Sequence, residues 1–178
     1  MMTLVIGGSG SGKSAYAEGY LEAFSRGKKK YYLAAMNVLD EEDERKVERH
    51  RRLRSGKGFV TIEQPVDIEQ AIDKMEEGEK TALLECVPNL AANEMFGENG
   101  IGSEESVAGK VTEGILKLEK KLAYLVVVSG NVFEDGNTYD ETTMAYIRAM
   151  GRIHERLAQK AEQVVEVVAG IPVIVKGS

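Results

Sequence analysis

The chain has 178 residues, a formal net charge of −6, a hydrophobic share of 43% and a charged share of 29%, the profile of an ordinary globular protein. The acidic balance gives no global attraction to nucleic acid or to an anionic membrane surface, and the single cysteine, Cys86, excludes an internal disulfide and a cysteine-based zinc cluster. The most apolar tract, Val164 to Val175, is interrupted by Glu166, Gly170 and Pro172 and is too short to span a bilayer, so one cytoplasmic domain over residues 1–178, without a signal peptide, is expected.

Thr3-Leu4-Val5-Ile6 reads as a short apolar strand, followed by a glycine-rich loop and a helix from about Lys13 to Phe24. Lys28-Lys29-Lys30 reads as a solvated turn before a second strand, Tyr31 to Ala35. The segment from Asp40 to Arg54 places its acids first and its bases last, an order that complements a helix dipole. Val66 to Met75 has apolar residues at roughly helical spacing. Thr81 to Cys86 is a third strand, in which Cys86 reads as a small buried hydrophobe rather than a nucleophile.

A loop from Gly97 to Gly102 leads to a helix with Ser103 as N-cap, its apolar stripe being Val107, Val111, Ile115, Leu118 and Leu122. Tyr124 to Ser129 is the fourth strand. A polar loop to Asp140 precedes a helix of about twenty residues ending near Gln163. Val164–Val168 and Ile171–Val175 flank a Gly170-Ile171-Pro172 turn and must pair antiparallel. Continuous apolar strands separated by helices predict an α/β fold: a mainly parallel sheet with helices on both faces and an antiparallel C-terminal hairpin. The tyrosines are scattered, without the stacking pattern of a nucleic-acid binder.

Gly7-Gly8-Ser9-Gly10-Ser11-Gly12-Lys13-Ser14 matches G-x-x-x-x-G-K-S without a gap, between an expected strand and an expected helix. Each residue type has a chemical reason. Glycines let successive N–H groups turn inward around a phosphate, and the helix that follows adds free donors and its positive dipole end. Lys13 is expected to bridge the terminal phosphates of a nucleoside triphosphate and the Ser14 hydroxyl to ligate Mg²⁺. Glu85 ends an apolar strand, where a carboxylate either reaches solvent or stands near a metal. With the phosphate loop present, Mg²⁺ held by Ser14 and Glu85 is the expectation.

His50 lies among Arg49, Arg51, Arg52 and Arg54. From residue type alone it is a solvated surface residue. The sharper reading is a ring kept neutral by the arginines and able to act as a nucleophile, with the same arginines attracting phosphates. His154, on the C-terminal helix, reads as structural or surface.

The order of these features resembles the bifunctional adenosylcobinamide kinase/adenosylcobinamide-phosphate guanylyltransferase family of cobalamin biosynthesis. The resemblance rests on the loop with Ala17-Glu18, Tyr32-Leu33-Ala34-Ala35, Leu39-Asp40-Glu41-Glu42 with His50 downstream, and Thr61 to Pro65. It continues through Leu83 to Cys86 with Asn93, Gly151 to Ala158 and Ala169 to Pro172. It implies a P-loop fold, GTP or ATP as substrate, and a cobinamide-type corrinoid as acceptor. It further implies His50 as the residue that takes GMP, Glu63 close to the nucleotide, and a small homo-oligomer, a trimer. Two departures accompany it. Residues 130–144 carry acidic and neutral groups where the family has an Asn-Glu-Val-Gly run and an arginine-containing helix start, and Phe59 stands where a tryptophan is common. A nucleotide-binding paralogue without turnover, or a kinase for another small alcohol, are the alternatives.

Overall fold

The computed structural model describes residues 1–36, 56–97, 100–131 and 139–177. The expected charged helix from Asp40 to Arg54, with His50, lies outside the described residues. In chain order the elements are β1 (Met2–Gly7), α1 (Lys13–Phe24), β2 (Lys29–Ala34), β3 (Phe59–Glu63), a 3₁₀ helix (Ile68–Lys74), β4 (Lys80–Glu85), α2 (Val87–Met95), α3 (Glu104–Lys121), β5 (Tyr124–Gly130), α4 (Glu141–Lys160), β6 (Gln163–Val168) and β7 (Ile171–Lys176).

The strands form one seven-stranded sheet in the order β3-β2-β4-β5-β1-β6-β7. Its pairings are parallel except for β6 with β7, as the apolar strands predict. Strand order and the right-handedness of parallel crossovers together decide which helix covers which face. The step from β1 to β2 runs toward the β3 edge, and α1 covers one face. The steps from β3 to β4, β4 to β5 and β5 to β6 run the other way, so the 3₁₀ helix, α2, α3 and α4 cover the opposite face.

The core follows this division. The larger cluster lies under α2, α3 and α4 and includes Leu4, Leu33, Leu84, Leu125 and Val127 from the strands. The predicted α3 stripe of Val107, Val111, Ile115 and Leu118 joins it, with Leu122 just beyond the helix. The smaller cluster, under α1, takes the alternate strand residues Val5, Tyr32, Leu83, Val126, Val128 and Val165, as the period-2 alternation of strand side chains requires.

Three expectations need correction. The helix expected over Val66–Met75 is a shorter 3₁₀ helix. The hairpin turn is Ala169-Gly170, at φ of 49° and 81°, rather than Gly170-Ile171-Pro172. Two left-handed residues in succession match the right-handed twist of flanking strands. β3 and α2, not predicted as elements, are present. β3 has exposed Val60, Thr61 and Glu63 around buried Ile62, a weak pattern typical of an edge strand. In α2, Pro88 sits in the first turn, where a missing N–H costs nothing.

Candidate functional site

β1 ends at Gly7 and its chain leaves toward the α1 face, whereas β5, paired beside it, sends its chain toward the opposite face. Such a switch opens a crevice at the carboxyl ends of the strands. The loop from Gly7 to Ser14 fills one side of it, and Asn131 fills the other, donating its N–H to the Gly7 carbonyl at 3.2 Å.

The loop has the geometry that its residue types predict. Gly10 and Gly12 sit at φ of 71° and 89°, the left-handed region that glycine occupies at little cost. Among the described residues, chain neighbours aside, no atom lies within 4 Å of where a Cβ on Gly8 or Gly10 would stand. Gly7 is required for another reason: a Cβ there would lie 2.5 Å from Ser11 Oγ and 2.7 Å from the Val167 carbonyl oxygen. Lys13 Nζ folds back over the loop to the Gly8 carbonyl at 3.1 Å. The first helical bond, from Tyr16 N–H to the Gly12 carbonyl, is 3.0 Å. The cap residue Gly12 has no side chain to accept from the amides at the start of α1, an arrangement that suits an anion. Ser11 Oγ is buried without a hydrogen-bond partner among the described residues, a cost that a polar ligand would relieve.

Glu85 closes the other wall. It lies at the tip of β4 and accepts from the Ser14 hydroxyl through Oε1 and from the Tyr32 hydroxyl through Oε2, at 2.8 Å. The strand-end acid is therefore turned into the site and oriented by β2 and α1, not left to solvent. A hydroxyl and a carboxylate side by side are hard oxygen donors, the ligand chemistry of Mg²⁺. Glu63, at the tip of β3, stands in register with Ala34, which in turn stands in register with Glu85. Glu63 and Glu85 thus share one row and one face, two strands or roughly 10 Å apart, and Glu63 is exposed.

The hairpin between β6 and β7 also reaches the loop, Gly170 N–H donating to the Ser11 carbonyl at 2.8 Å. This contact and the Tyr32 hydroxyl are parts of the candidate site that sequence reading missed. The signal for Tyr32 existed, since it lies two residues before Ala34 and so faces the Glu85 side, but strand order was needed to read it.

His154 is half-buried on α4, the structural alternative of the two. Its Nε2 pairs with Ser129 Oγ at 2.6 Å, and burial pushes its imidazole down to about 4, so it is neutral at physiological pH. The Cys86 thiol is pushed up to about 11 by burial and is no nucleophile at neutral pH. Asp140 caps α4, accepting from the N–H groups of Thr142 and Thr143, each at 3.0 Å. The first turn of that helix is thus occupied by the chain's own carboxylate, consistent with the departure noted in this stretch. Among the described residues no cluster of His, Cys, Asp and Glu side chains suits a metal ion by itself, and no helix is long and apolar enough to cross a membrane.

Comparison with known proteins gives the same reading. The sequence profile of cobinamide kinase / cobinamide phosphate guanyltransferase matches residues 3–175. The bifunctional adenosylcobalamin biosynthesis protein CobU of Escherichia coli (strain K12) is 28% identical over 185 residues, covering 99% of this chain and 100% of its own length. The corresponding protein CobP of Pseudomonas aeruginosa is 26% identical over 178 residues, covering 99% and 98%. Among solved structures, an ATPase domain superposes with a TM-score of 0.53 at 11% identity, over 93% of this chain and 68% of that one, a likeness of fold. Phosphate loop, strand-end acid and end-to-end sequence match agree, and the chain belongs to the cobinamide kinase / cobinamide phosphate guanyltransferase family of nucleotide-using enzymes.

Proposed function

We propose that this chain, as one domain over residues 1–178, phosphorylates a cobinamide-type corrinoid and then guanylylates the product through His50. The supporting observation is the uncapped phosphate loop with Ser14 and Tyr32 converging on Glu85, in a chain matched by this family over residues 3–175. In the kinase half-reaction the corrinoid's terminal hydroxyl oxygen bonds to the γ-phosphorus of ATP or GTP. The bond to the β,γ-bridging oxygen breaks, the nucleoside diphosphate leaves, and the hydroxyl proton goes to solvent. In the transferase half-reaction an imidazole nitrogen of His50 bonds to the α-phosphorus of GTP and pyrophosphate leaves with the bridging oxygen. A phosphate oxygen of the phosphorylated corrinoid then attacks that phosphorus and the P–N bond breaks.

In this reading the amides of Gly8 to Ser14 hold the polyphosphate and Lys13 offsets charge on the terminal phosphates. Ser14 and Glu85 would hold Mg²⁺, which supplies further charge neutralisation when bound. Glu63 would border the nucleotide. The proposed homo-oligomer, a trimer, has a physical basis in β7. Ile171, Val173, Ile174 and Val175 are 47–65% exposed, and an apolar edge strand bare on both faces is a docking surface.

The test is intact-protein mass spectrometry with GTP and Mg²⁺. The wild-type chain is expected to gain one GMP, and His50→Asn to gain none while binding GTP normally. Wild-type protein that binds GTP but acquires no mass overturns the histidine route.

A further inference from the structure

We infer that Tyr32 is a positioning residue for the divalent cation that accompanies the nucleotide: its hydroxyl fixes one oxygen of Glu85, so that the carboxylate keeps its orientation when Ser14 turns to the cation. The inference rests on the proposed binding of Mg²⁺ by Ser14 and Glu85. A glutamate at a strand tip has three side-chain torsions, and holding it still costs rotamer freedom. Two hydroxyls do so, Ser14 of α1 donating to Oε1 and Tyr32 of β2 donating to Oε2 at 2.8 Å. The two donors are not equivalent. Ser14 belongs to the phosphate loop, where its oxygen is also the expected ligand of the cation, so its bond to Glu85 is shared with the ligand. The Tyr32 bond comes from the neighbouring strand.

Register and packing explain why that second donor is fixed. β2 and β4 pair in parallel with Ala34 beside Glu85 and Tyr32 beside Leu83. Tyr32 and Glu85 therefore face the same side of the sheet, offset by two residues or about 6–7 Å along the strands, a gap that a phenol ring bridges. The ring is only 3% exposed and sits in the core under α1 with Val5, Leu83 and Val126. Phe59 of β3 meets it edge-on, the ring centres 6.4 Å apart and the planes at 84°, an arrangement that aromatic pairs favour. A ring held on these sides offers its hydroxyl at one point. A buried hydroxyl needs an acceptor in any protein, so a positioning role is told from a packing role by what fails when the hydroxyl is removed.

Tyr32→Phe removes the hydroxyl and keeps the ring. The experiment measures GTP affinity by titration calorimetry over a series of Mg²⁺ concentrations and in excess chelator, with Mn²⁺ binding in the presence of GTP followed by electron paramagnetic resonance. The wild-type chain is expected to bind GTP more tightly as Mg²⁺ rises. In Tyr32→Phe the Mg²⁺ concentration for half of this effect is expected to rise by about 10- to 100-fold, the usual loss when a hydrogen-bonded support of a metal-binding carboxylate is removed. Metal-free GTP affinity should stay at the wild-type value. Because the hydroxyl acts through the carboxylate, Tyr32→Phe should add nothing further in a Glu85→Ala background. A wild-type Mg²⁺ dependence in Tyr32→Phe, an equal loss of affinity with and without Mg²⁺, or fully additive losses in the double variant overturns the inference. A wild-type chain whose GTP affinity does not respond to Mg²⁺ overturns the metal reading itself, whereas a normal response in both chains removes only the role of Tyr32.

Discussion

At the scale of single residues the site is built from hydrogen bonds that leave certain groups open. Among the described residues the loop amides at the start of α1 have no side-chain cap and Ser11 Oγ is buried without a partner, while Glu85 is satisfied twice by hydroxyls. An arrangement that orients its acid and leaves its donors open is set up to receive an anion. In the proposed function Lys13, whose ammonium donates to the Gly8 carbonyl, would exchange that contact for a phosphate. Lys13→Ala is therefore expected to weaken nucleoside triphosphate binding by roughly 1.5–3 kcal/mol, the value of a charge-assisted hydrogen bond. Titration calorimetry measures this directly. An unchanged affinity would mean that the triphosphate does not bind in this loop.

Among the elements, the caps account for how the helices begin and end where they do. Ser103 and Asp140 accept from the first turns of α3 and α4. The far end of α4 is closed by Lys176 of β7, whose Nζ donates to the carbonyls of Ala158, Gln159 and Ala161 at 2.7–3.0 Å. A cation on the last turn complements the helix dipole and satisfies carbonyls that have no helical partner. It also ties the final strand to α4. Lys176→Met is expected to lower stability by about 0.3–1 kcal/mol, a fall in thermal midpoint of roughly 1–4 °C for a chain of this size. Differential scanning calorimetry is the check, and an unchanged midpoint would show that these three bonds contribute nothing net.

For the whole molecule, the sheet has unequal edges. β3 exposes one apolar residue, Val60, beside the polar Thr61 and Glu63, whereas β7 presents Ile171 and Val173 on one face and Ile174 on the other, with Val175 exposed at the irregularity in its pairing with β6. Polar side chains blunt an edge, and apolar ones invite another chain. Ile171→Lys combined with Val173→Lys is expected to turn an oligomer into a monomer, read by sedimentation velocity. A wild-type chain that sediments as a monomer, or a double variant that keeps the wild-type mass, would show that β7 does not join subunits. The turn before β7 touches the phosphate loop through Gly170 and Ser11. A subunit docked on β7 would therefore lie close to the nucleotide.

Sequence alone determined what depends on neighbours along the chain. The phosphate loop, the helix it opens, the α3 stripe, the Ser103 cap and the antiparallel hairpin all follow from local spacing and backbone freedom. Family membership was legible in the same way, from ordered motifs. Tertiary structure decided what depends on strand order. Only the pairing of β2 with β4 puts Tyr32 against Glu85, and only the packing of α1 beside the entry to β3 joins Glu18 to Lys57. β3 and α2 were missed because an edge strand with one buried side chain and a nine-residue helix carry too little periodicity to read alone. Their identity comes from the sheet they join, because burial between distant segments, rather than local propensity, holds them in place.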